Sequence, residues 1–194
     1  LRSTADELRR SRLPITVDLL ETGGLAVVGP DERPTAIARA LVAQLVGLLG
    51  PDALALRVAT SGERAKEWSW CGWLPHSGPG GAGQHVLVVV DGDRDGDDRV
   101  AAALDASSAA TPLWLASSAA GLPPTVRAVL ELTAHGDVLT VTDEHGAVVR
   151  RVGGLDVQQL STDEATALAR SLAPLVPAPM PGESGGSAVA SSVL

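Results

Sequence analysis

The chain has four tryptophans and neither phenylalanine nor tyrosine, and three of the four fall within six residues: Trp68, Trp70 and Trp73. A Trp side chain buries about 150–250 Å² and carries an indole N–H that wants a partner. Three together form an apolar anchor in a chain whose remaining interior must come from Ala, Val, Leu and Ile. Such a segment pins a long loop to the core, meets a partner as clustered Trp do in binding hot spots, or cages a small molecule. In an extended run Trp68 and Trp70 share one face and Trp73 takes the other. Trp73, beside Leu74 and Pro75, is expected to be the more buried, with part of Trp68 and Trp70 left accessible.

Charge and length narrow the classes. The 194 residues are 45% hydrophobic and 20% charged, enough to build the core of one domain. The net charge of −8 and the isoelectric point of about 4.9, with no basic stripe, weigh against nucleic acid and anionic membrane surfaces as partners. A lone cysteine, Cys71, excludes an internal disulfide. Residues 106–126 lack charge, but Ser, Thr and the prolines Pro112, Pro123 and Pro124 make them unfit to span a bilayer. No signal peptide opens the chain, and its first residue, Leu1, suggests a piece of a longer protein.

Local patterns alternate between strand and helix. Residues 13–18, 25–28, 54–59, 86–90 and 112–116 read as strands, the run 86–90 being apolar throughout, as in a strand buried on both faces. Residues 34–49 read as a helix with Ile37, Leu41, Leu45 and Leu48 on one face, stopped by Gly50 and Pro51. Residues 77–84 read as a loop and 97–106 as a helix. Three more strands, 126–133, 138–142 and 148–152, are joined by turns at His135-Gly136 and His145-Gly146. A helix over 163–172 opens on Ser161 and Glu164 as a capping box. The division is a lead-in over 1–12, an α/β domain over 13–175 and a Pro/Gly/Ser-rich linker over 176–194. The expected fold is α/β: a mainly parallel sheet flanked by helices, with the last three strands added antiparallel.

Several motifs carry chemistry on paper. The strand–loop–helix beginning near Leu25 is where a phosphate-binding loop would sit, but its Gly, Lys and Ser/Thr positions, counted from Gly29, hold Pro34, Thr35 and Ala36. That removes the lysine charge and the Mg²⁺ hydroxyl, Pro34 removes a backbone donor, and Asp31 and Glu32 add repulsion. Asp91 ends an apolar strand as the metal-holding acid of such folds does, yet Gly92 follows where a catalytic Glu is expected. The reading is a degenerate P-loop NTPase-like domain with no catalytic residue and no bound cofactor. Asp91, Asp93 and Asp95 with Gly96 match half of a calcium loop, but Ala102 stands where the bidentate Glu belongs. Gly78, Gly80 and Gly83 match a dinucleotide pattern but precede a strand, and Gly182, Ser184 and Gly186 match a nucleophile elbow inside a linker. Cys71, His76 and His85 fit no zinc spacing, so no metal is assigned.

The stretch Trp68-Ser69-Trp70-Cys71-Gly72-Trp73-Leu74-Pro75-His76 resembles the Trp-x-Trp-x-x-Trp-Leu-Pro-His segment of the EccC family, the FtsK/SpoIIIE-like ATPases of type VII (ESX-type) secretion, where it precedes the first full ATPase module. Residues 13–19, 25–29, 85–91 and 160–174 resemble the same family in the same order; Gly72 stands where family members usually have Lys. The resemblance implies a non-catalytic coupling and docking domain at the cytoplasmic face of the cell membrane. It would link a membrane anchor to motor modules, with the other secretion-complex subunits and the rest of its own ATPase chain as partners, and Trp68, Trp70, Trp73, Leu74, Pro75 and His76 as the contact segment. A nucleotide-binding α/β enzyme and a regulatory nucleotide-sensing domain stay open as alternatives.

Overall fold

A computed structural model describes residues 14–60, 62–77, 83–91 and 110–173. The lead-in 1–12, the helix expected at 97–106, the acidic turn after Asp91 and the linker 176–194 lie outside these residues, as does Gly92.

The apolar runs form one seven-stranded sheet. Its strands are β1 (Leu25–Val28), β2 (Leu54–Thr60), β3 (His85–Asp91), β4 (Ala110–Ala116), β5 (Ala128–Glu131), β6 (Asp137–Thr142) and β7 (Val148–Leu155), in the order β2-β3-β4-β1-β5-β6-β7. The first five in that order run parallel, with Val27 opposite Leu115 on one side and Leu130 on the other. Only β6 and β7 are antiparallel. The expectation that all three late strands run antiparallel is therefore corrected for β5. The residues between Ala116 and Ala128 give the chain room to cross over and re-enter beside β1 in the parallel sense. Residues 14–18 are no strand either. Ile15, Val17 and Leu19 do pack against the core, but the segment finds no ladder and ends where Asp18 Oδ1 accepts from Leu20 N and Glu21 N.

Both described helices lie on one face of the sheet. In α1 (Arg33–Leu48) the buried stripe is Ile37, Ala38, Val42 and Val46. This corrects the expected stripe: Leu41 and Leu45 are half-buried and Leu48 faces solvent. The small Ala38 and Val42 let the helix approach the strands closely, rotating the larger leucines outward. In α2 (Thr162–Leu172), Ala165 and Ala169 face the same core. Its capping box is complete, since Ser161 Oγ accepts from Glu164 N and Glu164 Oε2 accepts from Ser161 N. Those bonds from Ser161 hold the Glu164 carboxyl below its ordinary value. Ser161→Ala is expected to cost about 1 kcal/mol, a fall of about 2–4 °C in the melting midpoint followed by circular dichroism.

The opposite face of the sheet carries a second cluster that includes Ala26, Val28, Val88, Val90 and Trp114. β3 thus has buried residues on both sides, as its unbroken apolar run requires. No helix among the described residues is long and apolar enough to cross a membrane.

Candidate functional site

The degenerate phosphate loop folds as a strand–loop–helix but offers few donors. Gly29 is buried, and a Cβ there would lie 2.7 Å from the Cβ of Leu132, so only glycine fits. Its N–H is already spent on Ala116 O, at 3.0 Å. Pro30 and Pro34 have no N–H to give. Asp31 adopts a left-handed φ of 59°, and Glu32 caps α1 without accepting a hydrogen bond through its side chain. Arg33 turns away from the loop mouth: its Nη2 donates to both carboxylate oxygens of the buried Asp137, at 3.1 and 3.0 Å. Thr35, at the lysine position, is buried in the first turn, and Ala36 has no hydroxyl to offer a metal. A cavity of about 420 Å³ remains at the carboxyl ends of β1 and β4, lined by Asp31, Glu32, Thr35, Arg64, Trp114 and Ser117 among others.

Asp91 sits at the end of β3 and is fully buried. Its Oδ2 accepts from the indole Nε1 of Trp68 at 2.7 Å, and its Oδ1 accepts from Arg64 Nη1. Each carboxylate oxygen thus has a protein donor, and both donors come from the segment that begins at Gly62. The Trp motif and the strand-end acid, two separate features in the sequence, are one unit in space.

The geometry of that segment corrects the extended-run expectation. Gly62–Trp73 winds as a 3-10 helix, with three residues per turn. Trp68, Cys71 and Leu74, three apart, form one stripe, and all are buried. Lys66, Ser69 and Gly72 form a second stripe, which faces solvent. Glu67, Trp70 and Trp73 form the third, flanking α2. Trp70 is 1% exposed, while Trp73 is 52% exposed and lies under Arg170, whose guanidinium carbon is 5.1 Å from the ring centroid. Trp73 is therefore the exposed member of the three. Trp68 and Trp70 are neighbours with ring centroids 6.3 Å apart, and both are in the core. Leu74 is buried, Pro75 half-buried, and His76, also buried, donates from Nε2 to Leu49 O at 2.8 Å. Of the expected contact segment only Trp73 presents a large surface.

Three further residues stitch the segment in place and went unnoticed in the sequence. Arg39, buried on α1, donates from Nε to Leu160 O at 2.8 Å and from Nη1 to Glu67 Oε2 at 2.9 Å. Glu67 Oε2 also accepts from Thr162 Oγ1 at 3.3 Å. Arg64 holds Asp91 as described. Burial pushes the Cys71 thiol up to about 12, which leaves it protonated and unreactive at neutral pH. Among the described residues no group of three His, Cys, Asp or Glu converges as metal ligands.

No known protein-family profile matches the chain. Similarity to individual proteins is local but consistent. The chain is 38% identical over 68 residues to the ESX secretion system protein EccC of Thermomonospora curvata, a match covering 34% of this chain and 5% of that protein. It is 32% identical over 77 residues to EccC3 of the ESX-3 system of Mycobacterium tuberculosis, covering 39% of this chain and 6% of the relative. It is 38% identical over 66 residues to EccC5 of the ESX-5 system of Mycobacterium marinum, covering 34% and 5%. The matched stretch thus amounts to about one twentieth of each relative's length. A solved structure of Thermomonospora curvata EccC, its ATPases 2 and 3 in complex with a signal sequence peptide, superposes with a TM-score of 0.55 at 13% identity, over 83% of this chain and 44% of that one. The resemblance to EccC proteins of actinobacterial ESX systems, and the ATPase-like fold, are borne out.

Proposed function

We propose that this chain is a non-catalytic coupling and docking domain of a type VII secretion ATPase, linking a membrane anchor to motor modules at the cytoplasmic face of the cell membrane. Its partners are the other subunits of that membrane complex and the rest of its own ATPase chain. The observation that carries this reading is the buried Asp91. In an ATPase a carboxylate at this place keeps an oxygen for Mg²⁺, whereas here Trp68 and Arg64 take both. The missing Lys and hydroxyl at Thr35 and Ala36 support the same conclusion, and so does the local similarity to EccC proteins. Trp73 is the docking anchor, because it is the one member of the Trp motif with half its surface open.

Purified protein with Mg²⁺ and ATP is expected to release no phosphate above background. Turnover near 1 s⁻¹, about the low end for phosphoryl-transfer enzymes, would overturn the reading. A nucleotide-sensing role has one observation in its favour, the cavity of about 420 Å³ beside the degenerate loop. Saturable ATP binding without turnover in calorimetry would support that role instead.

A further inference from the structure

We infer that Trp73 and Arg170 together form a carboxylate-receiving site, and that the segment docking there is a protein segment presenting an Asp or Glu beside an apolar side chain. This rests on the reading of Trp73 as a docking anchor and says what the anchor recognises. Arg170 lies over the Trp73 ring at 5.1 Å, and both side chains come from rigid helical elements that pack together. A guanidinium held over an aromatic ring is restrained before any partner arrives, and because Arg170 is exposed its N–H groups stay accessible to solvent. That fork matches a carboxylate with two parallel hydrogen bonds.

Nothing among the described residues fills it. Arg170 is exposed and takes part in no ion pair among the described residues, in a chain with 23 acidic residues against 15 basic ones. Its neighbours one turn back on α2 are Thr166 and Ala167, neither of them acidic. Arg57, Arg127, Arg150 and Arg151 also form no ion pair among the described residues, but Arg170 is the one placed over the exposed Trp73 indole. The half-open Trp73 supplies the apolar floor, and Gly72 beside it leaves open space, with nothing within 4 Å of where a Cβ would be. Charge complementarity therefore selects an acidic partner over a basic or purely apolar one.

The test uses the full secretion ATPase carrying this domain, purified through a tag with its membrane complex, and asks how much of each partner subunit is retained. Arg170→Glu is expected to reduce retention at least about tenfold, the size of one lost charge-assisted hydrogen-bonded pair. Arg170→Lys keeps the charge without the fork and is expected to fall in between, and Trp73→Ala to lose at least as much as Arg170→Glu. Melting of the isolated domain checks that Arg170→Glu leaves the fold intact. If Trp73→Ala releases the partners while Arg170→Glu retains them, the carboxylate site is wrong and the docking reading stands. If both variants retain them, both fall. If the isolated domain dimerises in light scattering and Arg170→Glu abolishes the dimer, the occupant is a second copy and the assignment of a partner subunit is overturned.

Discussion

Trp70→Ala is expected to destabilise the domain by about 3–5 kcal/mol, the cost of emptying a large aromatic site in a packed core. Trp70 is 1% exposed, belongs to the core cluster and lies beside Trp68. For a domain of this size the loss lowers the melting midpoint by about 6–20 °C. Its indole N–H is buried without a partner, so Trp70→Phe, which keeps most of the ring and drops that donor, should cost less than half as much. Trp73→Ala gives up an exposed cation–π contact and should change stability by no more than about 1 kcal/mol. Thermal melts of the three variants decide the matter. A Trp73→Ala melt as low as that of Trp70→Ala would mean that the exposed ring is structural and would remove it as a docking anchor.

The second large effect concerns Asp91 and is asymmetric. Arg64→Ala leaves a fully buried carboxylate with the Trp68 indole as its one side-chain donor among the described residues, and a buried charge stripped of its countercharge costs about 3–5 kcal/mol. Asp91→Asn keeps an acceptor for the indole and removes the charge, while the more exposed Arg64 swings into water. That variant is expected to cost about 1–2 kcal/mol, the scale of a lost hydrogen bond. Urea unfolding of both single variants and of the double variant measures the difference. The double variant should be more stable than Arg64→Ala alone; if it is less stable, the pair is not what holds the strand end.

What could be read in advance follows a physical line. β3 was legible because five consecutive apolar residues can only be covered from both sides, and α2 because Ser161 and Glu164 close a bond pattern four residues long. The sense of β5 was not legible: alternation fixes which face a residue takes but not which neighbour the strand chooses. The Trp segment departs from expectation because period 2 groups Trp68 with Trp70 whereas period 3 groups Trp70 with Trp73, and nothing local distinguishes an extended run from a 3-10 turn. The loss of the phosphate-loop residues at Thr35 and Ala36 could be read directly. The occupants of Asp91 could not, since Arg64 and Trp68 lie 27 and 23 residues away. Arg39 was hidden for the same reason, its partners lying 28 and 121 residues along the chain.

The short stretch between Trp68 and Trp73 also has a mechanical meaning. At about 2 Å of rise per residue, five residues of 3-10 helix make a strut roughly 10 Å long. One end is bonded to the tip of β3, one strand in from the sheet edge, and the other stands in solvent under Arg170. Tension applied at the outer ring runs through Cys71 and Leu74 into the core on one side and through the Glu67–Arg39 pair into α1 on the other. The load is spread over three elements instead of peeling one loop away, so the domain can yield as a unit when pulled there, and the tip of β3 serves as its anchorage.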